Sequence, residues 1–443
     1  MTYLSTLRLS LVLLFFVFIS QPTGAGLIRD TELETGLQEL AAPLVKAAGF
    51  APNSIDFRII VDSSYNAFVV GKMSVYLHSG LLLDARSPEE ILGVIAHELG
   101  HIKAGHVPRR DEAFRDASNA GTLTTLAAIA LAAGGVPSDA VVGVVIGGSD
   151  RARRSMLQSF RYDEAVADEL GLEYLDKAGI TSTGLEQMMR RLASQRALPE
   201  NRQSQYYQTH PDAAQRLAAY QDHTEQTNHR TTPIAEDKRR LMERLVNKLR
   251  AYSEPTKAVL RQSDDLGVAS MQYRHAIAHY RRGDLALAYE FMDDLSKTTP
   301  DDPFYHEFRG DILLSMAKPD AAALAYEKAL ALRPNSPQIN MSLGRSLIAT
   351  NNKNHIPRAI ESMIAAKMAE PGWAFVHRQL AIAYGRAGSF ANADLCLAEE
   401  AILLGDEKQA VRMAKRVLAR AKLANDIRNR ANDILFRFGE AVQ

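Results

Sequence analysis

The C-terminal half of the chain repeats with a period of 34 residues, and this period limits its architecture more than any other feature. Pro300 and Pro334 stand 34 positions apart. In the unit 303–336, Gly310, Ala322, Tyr326, Ala329 and Pro334 fall where paired helices need small contacts, an aromatic filler and a closing turn. The unit 269–302 aligns Ala276, Gly283, Ala288 and Pro300 with them. The unit 337–373 aligns Gly344, Leu347, Ala359, Ala366 and Pro371, with three extra residues near "NNKNHI". A fourth, 374–407, offers Ala381, Tyr384, Gly388 and Ala393. A helical hairpin of this length cannot bury its apolar face alone, so neighbouring units stack into a solenoid. A helical bundle without repeats would not explain the shared register.

The remaining composition excludes several classes of function. Lys and Arg number 52, as do Asp and Glu, and the two signs are interspersed. No basic stripe marks a nucleic-acid interface. The single cysteine, Cys396, excludes an intrachain disulfide framework and any cysteine-based zinc site, so a metal must be held by histidine and carboxylate. At the N-terminus, Arg8, the apolar run Leu9 to Ile19 and the small residues Thr23-Gly24-Ala25 read as a cleaved secretory signal over 1–25. The mature chain is expected to begin near Gly26 and to work outside the cytoplasm. A second apolar stretch, 121–148, is split by Gly134, Gly135 and Pro137, and each half is shorter than the ~20 residues of a span. It reads as a helical hairpin against the first domain, with at most peripheral membrane contact. A membrane-embedded enzyme would require it to span.

The chemistry concentrates in "VIAHELGHIKAGH", residues 94–106. Ser87-Pro88-Glu89-Glu90 predicts a helix start with Pro88 at the first position and a capping box between Ser87 and Glu90. Gly105 predicts its end. His97 and His101 then lie i and i+4 on one face, close enough for both imidazoles to reach one ion, with Glu98 placed to touch a water there. His106 reads as an ordinary polar neighbour rather than a ligand. Downstream, "RYDEAVADELGLEYL" (161–174) puts Glu164 and Asp168 at i and i+4. Two carboxylates on a helix are usually a solvated face. Here Glu164 can supply a third ligand and Asp168 can hold the outer nitrogen of a ligand histidine, while Asp163, Glu169 and Glu173 are read as pointing elsewhere.

"HELGH", then "EAVAD", then "THPDAAQR" at 209–216, resemble in this order the motifs of the M48 family of zinc metallopeptidases. "NAFVVGKMSVYLHSGLL" (66–82) resembles the segment leading into that family's active helix, although family members often carry glycines where Val69 and Val70 stand. The resemblance covers roughly residues 30–220. It implies an α+β fold: a mainly helical, gluzincin-like HExxH domain with a small sheet, ahead of an all-α tetratricopeptide-repeat solenoid. It implies one Zn2+ per chain held by His97, His101 and Glu164, with Glu98 as general base. His210 would either stabilise the oxyanion or occupy the open metal position at rest, and Arg216 would brace its loop. An extended peptide would pair along an edge strand at Asn66, Ala67 and Phe68.

The chain thus divides into a signal over 1–25, a metallopeptidase domain over 26–232, a helical linker over 233–268, four tetratricopeptide repeats over 269–407 and capping helices over 408–443. Such repeats dock protein partners. The resemblance to exported, repeat-bearing M48 peptidases implies a periplasmic endopeptidase that acts on misfolded or stalled outer-membrane proteins and contacts their assembly machinery. The competing reading is a chaperone or adaptor with a mostly latched metal site.

Overall fold

The structure, a computed structural model, describes residues 26–70, 73–106, 161–194, 210, 213–261 and 267–440. The signal-like segment and the 121–148 stretch lie outside the described residues. So do Thr209 and Pro211 of the "THPDAAQR" motif.

The first half is built on a four-stranded sheet of β1 (Gly26–Ile28), β2 (Asp56–Val61), β3 (Ala67–Val70) and β4 (Ser74–His78), in the order β1-β2-β4-β3. β2 runs parallel to β4, and β3 closes an antiparallel hairpin with β4. Among the described residues, strand β3 therefore pairs on one side only and lies at an edge. Along β2, Phe57 and Ile59 are buried while Asp56, Arg58 and Ile60 between and beside them are more exposed, the period of a strand with one buried face. The sheet packs against α1 (Thr31–Ala47), whose Leu33, Leu37, Leu40 and Leu44 are fully buried. Asp30 caps α1 by accepting from the Leu33 amide at 2.9 Å.

After a short α2 (Ser79–Asp84) comes α3 (Pro88–Ala104), buried at every position from Glu90 to His101. Pro88 sits in its first turn, and Gly105 ends it at φ 69°, the left-handed conformation a glycine adopts without strain. The expected capping box does not form: Ser87 makes no side-chain cap bond. Glu90 instead accepts from the Arg86 amide and from both terminal nitrogens of Arg191, at 2.6 and 2.5 Å. A fully buried carboxylate needs a cation, and a two-pronged guanidinium satisfies it better than one backbone amide. Helix α4 (161–178) packs against α3, followed by α5 (Thr183–Ser194) and α6 (Ala213–Gln226).

The linker helix α7 (Glu236–Ser253) and the short α8 (Thr256–Arg261) lead into successive helical hairpins. These are α9 (Val268–Arg282) with α10 (Leu285–Thr298), α11 (Pro303–Ser315) with α12 (Pro319–Leu332), and α13 (Pro337–Ala349) with α14 (Ile356–Ala369). They continue as α15 (Ala374–Arg386) with α16 (Phe390–Leu403) and α17 (Glu407–Leu418) with α18 (Asn425–Arg437). The small repeat residues serve close packing: a Cβ on Gly310 would meet the Tyr326 ring at 2.7 Å, and one on Gly344 would meet Met363 at 2.7 Å. The three extra residues of the third unit form a 3-10 turn at Lys353–His355.

The start of α1 is clasped by these hairpins. Glu32, 1% exposed, accepts from Arg244, from Lys248 at 2.9 Å and from the Tyr273 hydroxyl at 2.6 Å. Thr31 donates to Glu307 at 2.6 Å and Gln338 to Glu34 at 3.0 Å, while Arg29 pairs with Glu370. Tyr273, Glu307 and Gln338 come from the first helices of three successive hairpins. The repeat surface expected for a partner is therefore taken in part by the chain itself. Burial alone would raise the Glu32 carboxyl, but Lys248 and Arg244 hold it at about 2. Its ionised form thus stabilises the fold fully above about pH 4.5 and loses that contribution as the pH falls towards 2. Glu32→Gln should cost about 3 kcal/mol at pH 7 in equilibrium unfolding, because it leaves buried cations short of an anion. The difference from wild type should shrink as the pH falls from 4.5 towards 2, where the folded protein's Glu32 itself takes up a proton.

Candidate metal centre

Helix α3 carries His97, Glu98 and His101, which are 0, 1 and 2% exposed. Helix α4 brings Glu164 to them because the helices touch through glycine. A Cβ on Gly100 would stand 2.5 Å from the Ala167 carbonyl oxygen, and one on Gly171 would stand 3.1 Å from the His97 amide nitrogen. The glycine inside the HELGH motif is thus a spacing device: any side chain there pushes α4, and Glu164 with it, away from the histidines.

His210, 3% exposed, completes a cluster of four groups with one donor atom each, all within 4.8 Å of one another. His97 Nε2 lies 3.1 Å from His101 Nε2, 3.3 Å from Glu164 Oε2 and 3.3 Å from His210 Nδ1. His101 Nε2 lies 3.3 Å from Glu164 Oε1, and His210 Nδ1 lies 2.8 Å from Glu164 Oε2. A tetrahedral zinc ion with bonds of about 2.0–2.1 Å sets its ligand atoms roughly 3.3 Å apart. The three imidazoles and the carboxylate suit such an ion in chemistry, and the five separations above, 2.8–3.3 Å, are of the order it needs.

The surrounding contacts fix these donors. Asp168 Oδ1 lies 2.9 Å from His97 Nδ1, so the aspartate holds the nitrogen that faces away from the cluster. Arg216 grips Asp168 through two nitrogens, each at 2.7 Å, and reaches Glu164 Oε2 at 2.9 Å. It joins the two carboxylates of α4; apart from His210, the loop it was expected to brace lies outside the described residues. The Tyr220 hydroxyl also donates to Asp168. Burial would raise Glu164, but His210 and Arg216 hold it well below the usual carboxylate range. Burial keeps His101 well below the ordinary histidine value, in the neutral form a ligand needs. For His97, burial is outweighed by the hydrogen bonds it donates to Asp168 and Glu164, which raise it to about 9.

Glu98 turns the other way. Its Oε1 is buried with no hydrogen-bond partner among the described residues, and it stands 3.8 Å from His210 Nε2. At the sheet edge, Ala67 and Phe68 are the first two residues of β3, which packs near α3; Asn66 precedes the strand and is 3% exposed.

Two neighbours escaped the sequence reading. His106 is 1% exposed and its Nδ1 lies 2.8 Å from His101 Nδ1. Asp163, 3% exposed, lies 3.5 Å from His106 Nε2 instead of pointing elsewhere. The signal was the glycine before His106, whose left-handed turn sends the next residue back along its own helix.

Residues 28–224 match the sequence profile of Peptidase family M48. A Vibrio cholerae protein named putative beta-barrel assembly-enhancing protease is 32% identical over 170 residues, 38% of this chain and 34% of that protein. The chain therefore aligns with about a third of that relative's length. The Escherichia coli K12 beta-barrel assembly-enhancing protease is 24% identical over 345 residues, covering 75% of this chain and 68% of that protein. The Yersinia pestis protein of the same name is 22% identical over 407 residues, 91% and 82% of the two chains. No helix among the described residues is long and apolar enough to cross a membrane. With this match spanning the HELGH and Glu164 helices and the gathered donor atoms, residues 28–224 are a metallopeptidase domain of family M48.

Proposed function

We propose that the chain is a zinc endopeptidase of the bacterial periplasm that cleaves misfolded or stalled outer-membrane proteins, with its repeats docking those clients or their assembly machinery. The observation that supports it best is the gathering of His97, His101, Glu164 and His210 donor atoms within 4.8 Å of one another, beside a buried Glu98 oxygen that has no hydrogen-bond partner among the described residues. The envelope role rests on the relatives' name and on the signal-like N-terminus.

In this reading His97, His101 and Glu164 hold Zn2+, which supplies Lewis acidity and lowers the pKa of a water to about 7. Glu98 takes a proton from the attacking water and passes it to the leaving amine. Asp168 and Arg216 keep the His97 ring and the Glu164 carboxylate in place through turnover. The open edge of β3, at Asn66, Ala67 and Phe68, pairs with an extended substrate through main-chain bonds that tolerate many sequences. His210 stands at the fourth donor position, so the arrangement is the latched, resting one. Substrate has to displace it.

Three outcomes test this reading. Glu98→Gln should keep its zinc, measured by elemental analysis, and lose about 10²- to 10⁴-fold in casein cleavage. Full activity of that variant removes Glu98 from the chemistry. His210→Ala should raise basal cleavage several-fold, whereas a loss of roughly 10²-fold would make His210 an oxyanion donor instead. Because the His97 imidazole holds a proton up to about pH 9 without a metal, Zn2+ binding at pH 6.5 should release about one proton, read by calorimetry in buffers of different ionisation heat. Binding with no proton release would mean that His97 is already neutral in the metal-free protein.

A further inference from the structure

The two histidines of the HELGH motif need different outer partners. Each presents Nε2 to the cluster and leaves Nδ1 facing away. His97 has Asp168 there, at 2.9 Å, and an aspartate accepts whatever its neighbour donates. His101 has another imidazole there, at 2.8 Å, with the rings 5.0 Å apart and inclined by 69°.

Two neutral imidazoles can share a hydrogen bond only if one donates and the other accepts. A histidine that ligates through Nε2 carries its proton on Nδ1, so His101 must be the donor and His106 Nδ1 the acceptor. The proton of His106 is then on Nε2. That nitrogen faces Asp163 Oδ1 at 3.5 Å, and Asp163 stands next to Glu164 on α4. Gly105 makes the arrangement possible, because its left-handed turn folds His106 back against His101 at the end of α3.

We infer that His106, oriented by Asp163, is the positioning residue that holds His101 in the tautomer and ring angle required for metal binding. The inference rests on His101 being a ligand, as the proposed function has it. It assigns α4 a role on both sides of the site: Asp168 steadies His97 directly, and Asp163 steadies His101 through His106. Losing such an outer partner typically weakens a metal site by about 10- to 100-fold.

The test is Zn2+ affinity of the full-length protein, by competition with a chromophoric chelator, together with the visible spectrum of the Co2+-substituted form. His106→Leu should bind Zn2+ about 10- to 100-fold more weakly and shift the Co2+ bands. His106→Asn, whose amide oxygen can stand where Nδ1 did, should recover affinity to within about 3-fold of wild type while leaving Nε2 unreplaced. The metal-free forms of both variants should unfold at similar temperatures. Asp163→Asn, nearly isosteric, should weaken binding about 10-fold and gives the answer if the leucine variant does not fold. Unchanged affinity and spectrum in His106→Leu, or equal damage in His106→Asn, would overturn the inference. His101→Ala serves as the control: if it binds Zn2+ as tightly as wild type, the ligand assignment itself is wrong and the inference falls with it.

Discussion

The contact on which the rest depends is the one between α3 and α4 at Gly100 and Gly171. Neither glycine has a ligand atom, and neither adopts an unusual backbone conformation. Their contribution is absence of bulk, which lets two buried helices approach until the Ala167 carbonyl nearly touches Gly100. At that separation Glu164 reaches both histidines and Asp168 reaches the far side of His97. A wider gap would leave two histidines and a carboxylate buried apart, each an uncompensated polar group. The site is thus a consequence of helix packing before it is one of coordination chemistry.

Its charges close on themselves. Glu164 and Asp168 are both buried and held ionised, and Arg216 joins them while Tyr220 donates to Asp168. Breaking any one member leaves a buried charge without its partner, which is costly in a low-dielectric interior. A similar economy operates at the second buried cluster, where Glu32 and Asp30 meet Arg244 and Lys248. That cluster ties α1 to the linker helix and the first hairpins. The peptidase domain and the repeats therefore share polar contacts whose loss would be felt in both.

How much of this was legible in the sequence follows from the range of the interactions. The i, i+4 spacing of His97 and His101 is local and survived unchanged. The 34-residue register was legible because Gly310 and Gly344 must be small to lie against Tyr326 and Met363. Glu164 and Asp168 share a helix period, but a solvated face has the same period, so only the family motif order singled them out. The capping box failed because Glu90 is claimed by Arg191, 101 positions away, a partner no local rule sees. His106 and Asp163 were misjudged for the same reason: their pairing depends on the Gly105 turn and on which face of α4 meets α3. The clasp of α1 by the repeats was also out of reach, since the period describes how hairpins stack and not what they enclose.

The central claim is that three imidazoles and one carboxylate surround a single ion in the resting protein. Zinc K-edge absorption of the full-length protein, loaded with one equivalent of Zn2+, tests it most directly. The account predicts a four-coordinate shell of nitrogen and oxygen at about 2.0–2.1 Å with the scattering pattern of three imidazoles, falling to two in His210→Ala. A shell containing sulfur at about 2.3 Å, or one unchanged by removing His210, would contradict it.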